Sequence, residues 1–276
     1  MRKYNPRHAI VRAVRSLPKW ARASILATAA GGSIAGLAVA ALPAGASTGP
    51  RLYSNSGAGY AVTGAQFRYV AASAYLRNPA QYSAVTDGIG WGVTLTSADY
   101  VIDLGVSDTT TSGTTYSPAV DVYKDNTLVP GAPDYDAKWC PAGGQCQPAS
   151  AGGSFPVGET VTQDLFYNTA TGVVSANEYD AAGNLFTFAY HVGTGQSFHT
   201  ADVGAGMGKF TAPSSATQFF RFTNIQLTSY SGHRAGLVSW WTRHKKFMTS
   251  DGTSAGTTEA SPSNLSYGNF TVTLQP

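Results

Sequence analysis

YVIDLGVS, residues 100–107, is a run of aliphatic and β-branched side chains with one carboxylate at its centre. This composition favours a β-strand, in which successive side chains point to opposite faces of the sheet. Tyr100, Ile102, Leu104 and Val106 then share one face, whereas Asp103 shares the other, smaller and more polar face with Val101, Gly105 and Ser107. Because an ionised carboxylate is costly in an apolar core, we expect Asp103 to line a solvent-facing or concave surface of a sheet.

The rest of the chain repeats this pattern in short alternating runs that are separated by turn signals. Residues 168–172 and 180–184 have the composition of hairpin loops, and no long stretch has helical periodicity. Strands without helix-length crossovers predict an all-β fold, an antiparallel β-sandwich. The predicted strands cover residues 60–63, 66–71, 90–95, 100–106, 119–124, 160–168, 173–179, 185–192, 218–229, 236–241 and 269–274.

Residues 1–46 have the features of a secretory signal peptide. Seven basic residues precede an apolar, Ala-rich stretch over residues 23–42, and Ala44-Gly45-Ala46 forms a small-x-small cleavage site. A membrane anchor is the alternative, but the glycines in the stretch and the processing site after it disfavour that interpretation. We therefore predict a secreted, extracellular protein.

The charge of the chain depends on this leader. Seven of the 18 basic residues lie in it, whereas all 15 acidic residues follow it, so the mature chain has 11 basic and 15 acidic residues. Its formal charge is −4 instead of +3, and the basic pI gives no indication of nucleic-acid binding. The mature chain, residues 47–276, is long enough for a single domain. We expect a monomer with no nucleic-acid partner and no membrane association after cleavage.

The mature chain has two cysteines, Cys140 and Cys146, which enclose five residues. In an exported protein this spacing predicts a local disulfide, with free thiols as the alternative. Residues 129–153 around them are rich in Pro, Gly and Ala, and we expect one long surface loop held by that disulfide. Two cysteines without a nearby His do not form a zinc site, and we predict no metal and no cofactor.

Four local motifs suggest chemistry but have simpler explanations. GTSAG at 252–256 fits the GxSxG pattern, but its surroundings predict a loop without the required helix. Glu178 and Asp180 would share a strand face as a carboxylate pair, yet Asp180 begins a turn, which predicts a solvated hairpin end. The glycines of residues 204–208 lack the spacing of a phosphate-binding loop and predict a flexible loop. The basic cluster at 243–246 predicts a solvated turn.

Several stretches together suggest a family. They are NSGAGYAVTG at 55–64, FRYVAASAY at 67–75, GET at 158–160, FTNIQLT at 222–228 and NFTVT at 269–273. Their order resembles that of the secreted glutamic endopeptidases, the eqolisin type. The resemblance runs over most of the mature chain and implies a lectin-like β-sandwich, the concanavalin-like jelly roll.

The same resemblance implies a site. In that family a Glu on the concave sheet acts as general base on water, and a Gln helps to hold the water and stabilises the oxyanion. The strand at 100–107 places Asp103 where the family has its Gln. Counting back from FTN at 222–224 leaves Asp202 as the only acid near the position of the Glu. The family's catalytic pair is therefore not retained, and Asp103 and Asp202 are the candidates for catalysis.

Two functions follow as hypotheses, and the sequence leaves open whether the protein is an enzyme. The first is a diverged or non-catalytic protein that binds an extracellular peptide or polysaccharide in a concave groove lined by Tyr, Trp and polar side chains. The second is an acid endopeptidase, a hydrolase in which Asp103 and Asp202 activate water. Like charges at close range raise one pKa of such a pair, and the two carboxyl groups can then share a proton.

Overall fold

The computed structural model describes residues 48–78, 89–108, 114–129, 136–149, 152–207, 217–237 and 241–276. The predicted leader lies outside these ranges. No helix in the described part of the chain is long and apolar enough to span a membrane. The strands are β1 (Leu52–Ser54), β2 (Gly57–Thr63), β3 (Phe67–Tyr75), β4 (Ile89–Thr96), β5 (Tyr100–Asp108), β6 (Thr115–Lys124), β7 (Thr127–Leu128), β8 (Asp136–Cys140), β9 (Gln147–Pro148), β10 (Phe155–Pro156), β11 (Thr160–Asn168), β12 (Val173–Asp180), β13 (Leu185–His191), β14 (Thr200–Met207), β15 (Thr217–Ser229), β16 (Arg234–Ala235), β17 (Thr242–Thr249), β18 (Thr258–Pro262) and β19 (Phe270–Leu274).

The strands form two layers. The first has the order β6–β5–β4–β14–β2–β17, and the second has the order β8–β13–β12–β11–β3–β15–β19. Strand β18 pairs with both β17 and β19 and so connects the layers at one edge. The pairings within both layers are antiparallel, and only β1 adds to β17 in parallel. The predicted all-β, antiparallel sandwich of the jelly-roll type is confirmed.

The hydrophobic core lies between the two layers. Ile102, Leu104 and Val106 of β5 are fully buried, as the alternation of the sequence predicts. The ring of Trp91 in β4 contacts that of Phe222 in β15, with ring centroids 5.7 Å apart, so aromatic side chains connect the layers. Asp103 is on the opposite face of β5, outside this core.

Two segments that we expected to be irregular are strands. Residues 204–207 belong to β14, which pairs with β2 and β4 in the middle of the first layer. Glycine has a low strand propensity, so the local sequence does not predict this strand. Hydrogen bonding to its two neighbouring strands stabilises it. The basic cluster at 243–246 belongs to β17, which pairs with β2. Of the predicted strand at 236–241, residues 238–240 lie outside the described ranges, and the described residues Gly236, Leu237 and Trp241 are not in a strand.

The segment at 129–153 is also more regular than expected. Its described residues include β8, which extends the second layer by pairing with β13, and the short strand β9. Only the remaining described part is irregular, so the prediction of one continuous loop is wrong. The predicted disulfide between Cys140 and Cys146 is present and connects the end of β8 to the residue before β9. It therefore ties one strand end to the turn that follows it.

Candidate functional site

A row of polar side chains crosses the first layer on its outer face. Asp121, Asp103, Thr94 and Asp202 lie directly opposite one another on β6, β5, β4 and β14. Directly opposite residues share a face of the sheet, so all four point away from the core. The two predicted site residues, almost a hundred positions apart in sequence, thus flank the same threonine. Two strand spacings place their Cα atoms about 10 Å apart.

A row of small residues runs beside the polar row and forms the floor of a groove. It consists of Gly59, Gly204, Gly92, Gly105 and Ala119, again directly opposite one another on five strands. A Cβ atom on Gly92 would lie 2.5 Å from the carbonyl oxygen of Leu104, and one on Gly204 would lie 2.8 Å from that of Ala58. The strands approach so closely here that only glycine fits at these two positions.

The carboxyl group of Asp103 is held against this floor. Its Oδ1 accepts a hydrogen bond of 2.9 Å from the Thr94 hydroxyl, and a Cβ atom on Gly92 would lie 3.4 Å from the same oxygen. Burial raises the pKa of Asp103 to about 6; the hydrogen bond from Thr94 and the positive charge of Lys246 oppose this shift, and the negative charge of Asp202 adds to it. Asp103 is therefore a carboxyl group that changes charge in mildly acidic solution.

Asp202 has a different environment. It is 5% exposed, and the Lys246 ammonium on β17 lies 3.6 Å from its Oδ1. That oxygen accepts no hydrogen bond from the described residues. The two candidate residues are thus unequal, because Asp103 has a neutral hydroxyl donor and Asp202 has a cation.

The described lining of the groove has little aromatic character. Apart from Trp91 and Val106, whose side chains lie in the core, its residues carry carboxylates, hydroxyls, small side chains and one ammonium, and Trp91 is the only aromatic residue among them. The expectation of a groove lined by Tyr and Trp is therefore wrong for the described residues. The reason is the strand alternation, which directs Trp91 of β4 inward and leaves Gly92 and Thr94 in the groove.

A second polar pair, which the sequence interpretation missed, lies inside the core. Gln163 of β11 and Glu178 of β12 are directly opposite, both are fully buried, and Gln163 Nε2 donates a hydrogen bond of 2.9 Å to Glu178 Oε1. Gln163 also donates to the carbonyl oxygen of Trp91 at 3.4 Å. Burial raises the pKa of Glu178 well above its usual value. Glu178 alternates with Val174 and Ala176, a pattern that could have placed it on the apolar face.

The other motifs have structural roles. Glu178 is buried and not at a solvated hairpin end, whereas Asp180 does belong to the turn and accepts hydrogen bonds from the backbone of Gly183 and Asn184. GTSAG at 252–256 lies in a loop, as expected. Among the described residues, no three His, Cys, Asp or Glu side chains are grouped as metal ligands would be.

Comparison with known proteins supports the fold. The chain is similar to scytalido-glutamic peptidase with a peptide-based transition-state analogue, with a TM-score of 0.50 and 13% identity over 80% of this chain and 99% of that one. It is also similar to SCP-B, a member of the eqolisin family, in complex with the tripeptide Ala-Ile-His, with a TM-score of 0.49, 13% identity and the same coverage. At this identity the likeness shows a common fold. No protein-family model and no curated protein sequence matches the chain.

Proposed function

We propose that this protein is exported and binds an extended peptide in the groove of the first layer. The observation that carries the proposal is the groove floor of four glycines and Ala119. This floor crosses five strands beside a row of three aspartates and a threonine. Five neighbouring strands span about 19 Å, the length of some five to six extended residues. Without side chains on the floor, a ligand backbone can approach the sheet and still reach the polar row.

The chemistry of the lining favours a peptide over a glycan. Sugars are bound by aromatic faces together with hydrogen-bonding groups, but the described groove presents no aromatic ring. Peptides need partners for amide groups and for charged side chains, and the carboxyl groups and Thr94 supply them. The shared fold with a peptidase that is solved with a peptide-based analogue supports the same ligand class. The disulfide supports export, because disulfides persist in oxidising compartments.

The charge of the groove further selects the peptide. Asp103, Asp121 and Asp202 contribute three carboxyl groups, and Lys246 is the only cation among the described lining residues. A net negative groove attracts and orients a basic ligand and disfavours an acidic one. Because Asp103 gains its charge as the pH rises through about 6, a basic peptide should bind more tightly at pH 7.5 than at pH 5.

Fluorescence anisotropy with labelled hexapeptides tests this proposal. A Lys-containing hexapeptide should bind at least about tenfold more tightly than its Glu-containing analogue. Asp103→Asn should weaken binding of the basic peptide and remove most of its pH dependence. Asp99→Asn, at an exposed carboxylate in the turn between β4 and β5, should change neither the affinity for the basic peptide nor its pH dependence. Equal affinity for both peptides, or an unaltered Asp103→Asn variant, would contradict the proposed groove.

A second candidate function, an acid endopeptidase, has support from one observation. Asp103 and Asp202 flank Thr94 on the same face, and they differ in the way that an acid and base pair requires. The raised pKa lets Asp103 keep its proton at acid pH, while Asp202 has the Lys246 ammonium 3.6 Å away. The pair could therefore present one proton donor and one proton acceptor to the same substrate.

The chemistry would proceed in two steps. Asp202 takes a proton from a water molecule whose oxygen attacks the peptide carbonyl carbon, while Asp103 gives its proton to the carbonyl oxygen. In the tetrahedral intermediate that results, the C–N bond then breaks. The proton held by Asp202 moves to the leaving nitrogen, and Asp103 recovers its proton from the hydroxyl group as the new carboxyl group forms. Both residues return to their starting states.

Digestion of an unfolded protein substrate from pH 2 to pH 7 tests this second function. An acid endopeptidase should cleave below about pH 6, where Asp103 holds its proton, and Asp103→Asn and Asp202→Asn should each reduce the rate at least about a hundredfold. The Asp99→Asn variant should retain full activity. If the folded protein cleaves nothing at any pH but binds basic peptides, then binding alone is its function.

A further inference from the structure

A second surface of the molecule has the chemistry of a ligand-binding face, and it lies on the opposite side from the groove. Tyr75, Phe166 and Tyr179 are 49%, 37% and 41% exposed. They belong to β3, β11 and β12, three neighbouring strands of the second layer. The alternation of these strands directs all three rings outward, since their sequence neighbours Ala74 and Leu165 point into the core.

The positions of the rings follow from the strand register. Tyr179 is opposite Thr162, four residues along β11 from Phe166, and Tyr75 is opposite Thr160, two residues further. At about 3.3 Å per residue, the three rings are distributed over about 20 Å along the strands. Among the described residues, none of the three forms a ring pair with another aromatic side chain, unlike the rings of the core. Their faces are therefore open to a ligand.

Apart from one carboxyl group, the groups between the rings are neutral hydrogen-bonding groups. The outer faces of β3, β11 and β12 carry a single charged side chain, Asp164, and it already accepts a hydrogen bond of 3.0 Å from Asn177. Burial raises the pKa of Asp164, and the hydrogen bond from Asn177 opposes this shift. This face thus differs from the groove, where three aspartates and one lysine meet. The partly exposed hydroxyl and amide side chains around the rings are Thr160, Thr162, Ser175 and Asn177.

We infer that this outer face of β3, β11 and β12 binds a neutral polysaccharide chain. The C–H groups of a sugar ring form an apolar face that packs on an aromatic ring, whose own face is electron-rich. The sugar hydroxyls need hydrogen-bond donors and acceptors, and neutral side chains provide them without attracting ions. The outer faces of these three strands carry one carboxyl group and no cation, and the nearest cation in the row of Phe166 is Arg234, three strands away on β16. This low charge complements an uncharged polymer, and spaced rings can each contact a different unit of one chain.

The surface is independent of the peptide groove. It lies on the second layer, and the groove lies on the outer side of the first, so the two-layer core separates them. A protein with both surfaces would be held on a polysaccharide matrix while its groove remains free for peptide. Failure of either surface in an experiment would leave the other one untouched.

Retention on carbohydrate tests the inference. The purified chain is mixed with microcrystalline cellulose or chitin, or run in gels containing soluble β-1,3-glucan or starch, with heparin as a charged probe. We expect retention by at least one of the four neutral polysaccharides, insensitive to salt. The double variant Phe166→Thr/Tyr179→Thr should lose at least about tenfold in affinity, and threonine keeps the strand propensity of both sites.

Matched variants make the result specific. Tyr267→Asn changes a ring that is 99% exposed in the turn between β18 and β19; asparagine tolerates the positive φ of this position. This variant should leave retention unchanged, as should Asp103→Asn in the groove. No retention by any of the four neutral polymers, equal retention of the folded double variant, or salt-sensitive binding to heparin alone would overturn the inference. A dimer in light scattering that the double variant converts to monomer would also overturn it, because a second copy would then cover the face.

Discussion

At the scale of single residues, two buried carboxyl groups respond to the same physics in different places. Burial raises the pKa of both Asp103 and Glu178, because water stabilises the charged form and is partly or wholly excluded. Asp103 is half-buried at the groove, so a ligand can reach it. Glu178 is fully buried beside Gln163, so only unfolding exposes it. Asp103 is therefore a candidate for function, and Glu178 governs stability.

Glu178 should make the fold more stable in acid than near neutrality. Its pKa is higher in the folded than in the unfolded state, so its contribution is complete below the unfolded value of about 4.5 and is lost as the pH rises through the folded value. The free energy of unfolding should fall by about 1.4 kcal/mol per pH unit in that window. The raised pKa of Asp103 should lower the free energy of unfolding in the same way as the pH rises from about 3.8 to about 6.

Glu178→Gln isolates the first contribution, because it keeps an amide oxygen for Gln163 and removes the ionisable group. In urea unfolding between pH 7 and pH 8, above the pKa of about 6 for Asp103, the variant should lose less stability with rising pH than the unaltered chain. Asp99→Asn serves as the control and should follow the unaltered chain. Parallel curves for Glu178→Gln and the unaltered chain would mean that Glu178 does not titrate in this range.

At the scale of strands, the glycines of β2, β4 and β14 decide the geometry of the groove. The backbones of neighbouring strands approach these glycines so closely that a side chain has no room. Their strand propensity is low, but the close approach requires them. The same feature explains why the sequence predicts a loop at 204–208: local preference opposes a strand there, and only pairing with β2 and β4 creates it.

Gly92→Ala should therefore destabilise the fold. The added Cβ would lie 2.5 Å from a backbone oxygen, and relieving such a contact moves strands, at a cost of about 1–3 kcal/mol. Gly236→Ala, where the nearest backbone oxygen is 3.3 Å away, provides the control and should cost less. Thermal unfolding measures the loss of stability in both variants. A Gly92→Ala protein as stable as the control would show that the sheet adapts to the extra atom.

Other elements were predictable from the sequence because local pattern and tertiary environment agree. The strand at 160–168 is found with those bounds, since Val161, Leu165 and Tyr167 alternate with more exposed side chains and only Gln163 interrupts the apolar series. By contrast, the sequence does not predict β17, because four of its residues are basic or His. Pairing with β2 makes this segment a strand and partly buries these side chains, and local preference does not reveal that pairing. The disulfide was predictable because only two cysteines exist and they are close in sequence.

At the scale of the whole molecule, the proposed export determines the charge that the protein presents. Removal of residues 1–46 would change the formal charge from +3 to −4. A negative molecule repels anionic polymers, which agrees with a groove for basic peptides and a neutral second surface. The two proposed surfaces require a fold in which both outer faces of the sandwich are accessible.

Intact mass spectrometry of the secreted protein tests the proposed removal of residues 1–46. We expect a mature chain that begins at Ser47, after the small-x-small site. Ala46→Arg, which replaces the small residue at that site, should leave the chain uncleaved and cell-associated. A full-length chain in the membrane fraction of cells that produce the unaltered protein would favour the alternative of an N-terminal anchor.

The sequence by itself determined the all-β class, most strand positions, the disulfide and the outward direction of Asp103, because each depends on alternation or on neighbours along the chain. Only the tertiary structure decided that Asp103 and Asp202 flank Thr94, that β14 is a strand, that Lys246 accompanies Asp202, and that Gln163 pairs with Glu178. These relations join residues far apart in sequence. Strand register sets them, and register is fixed by burial of the whole sheet and not by local preference.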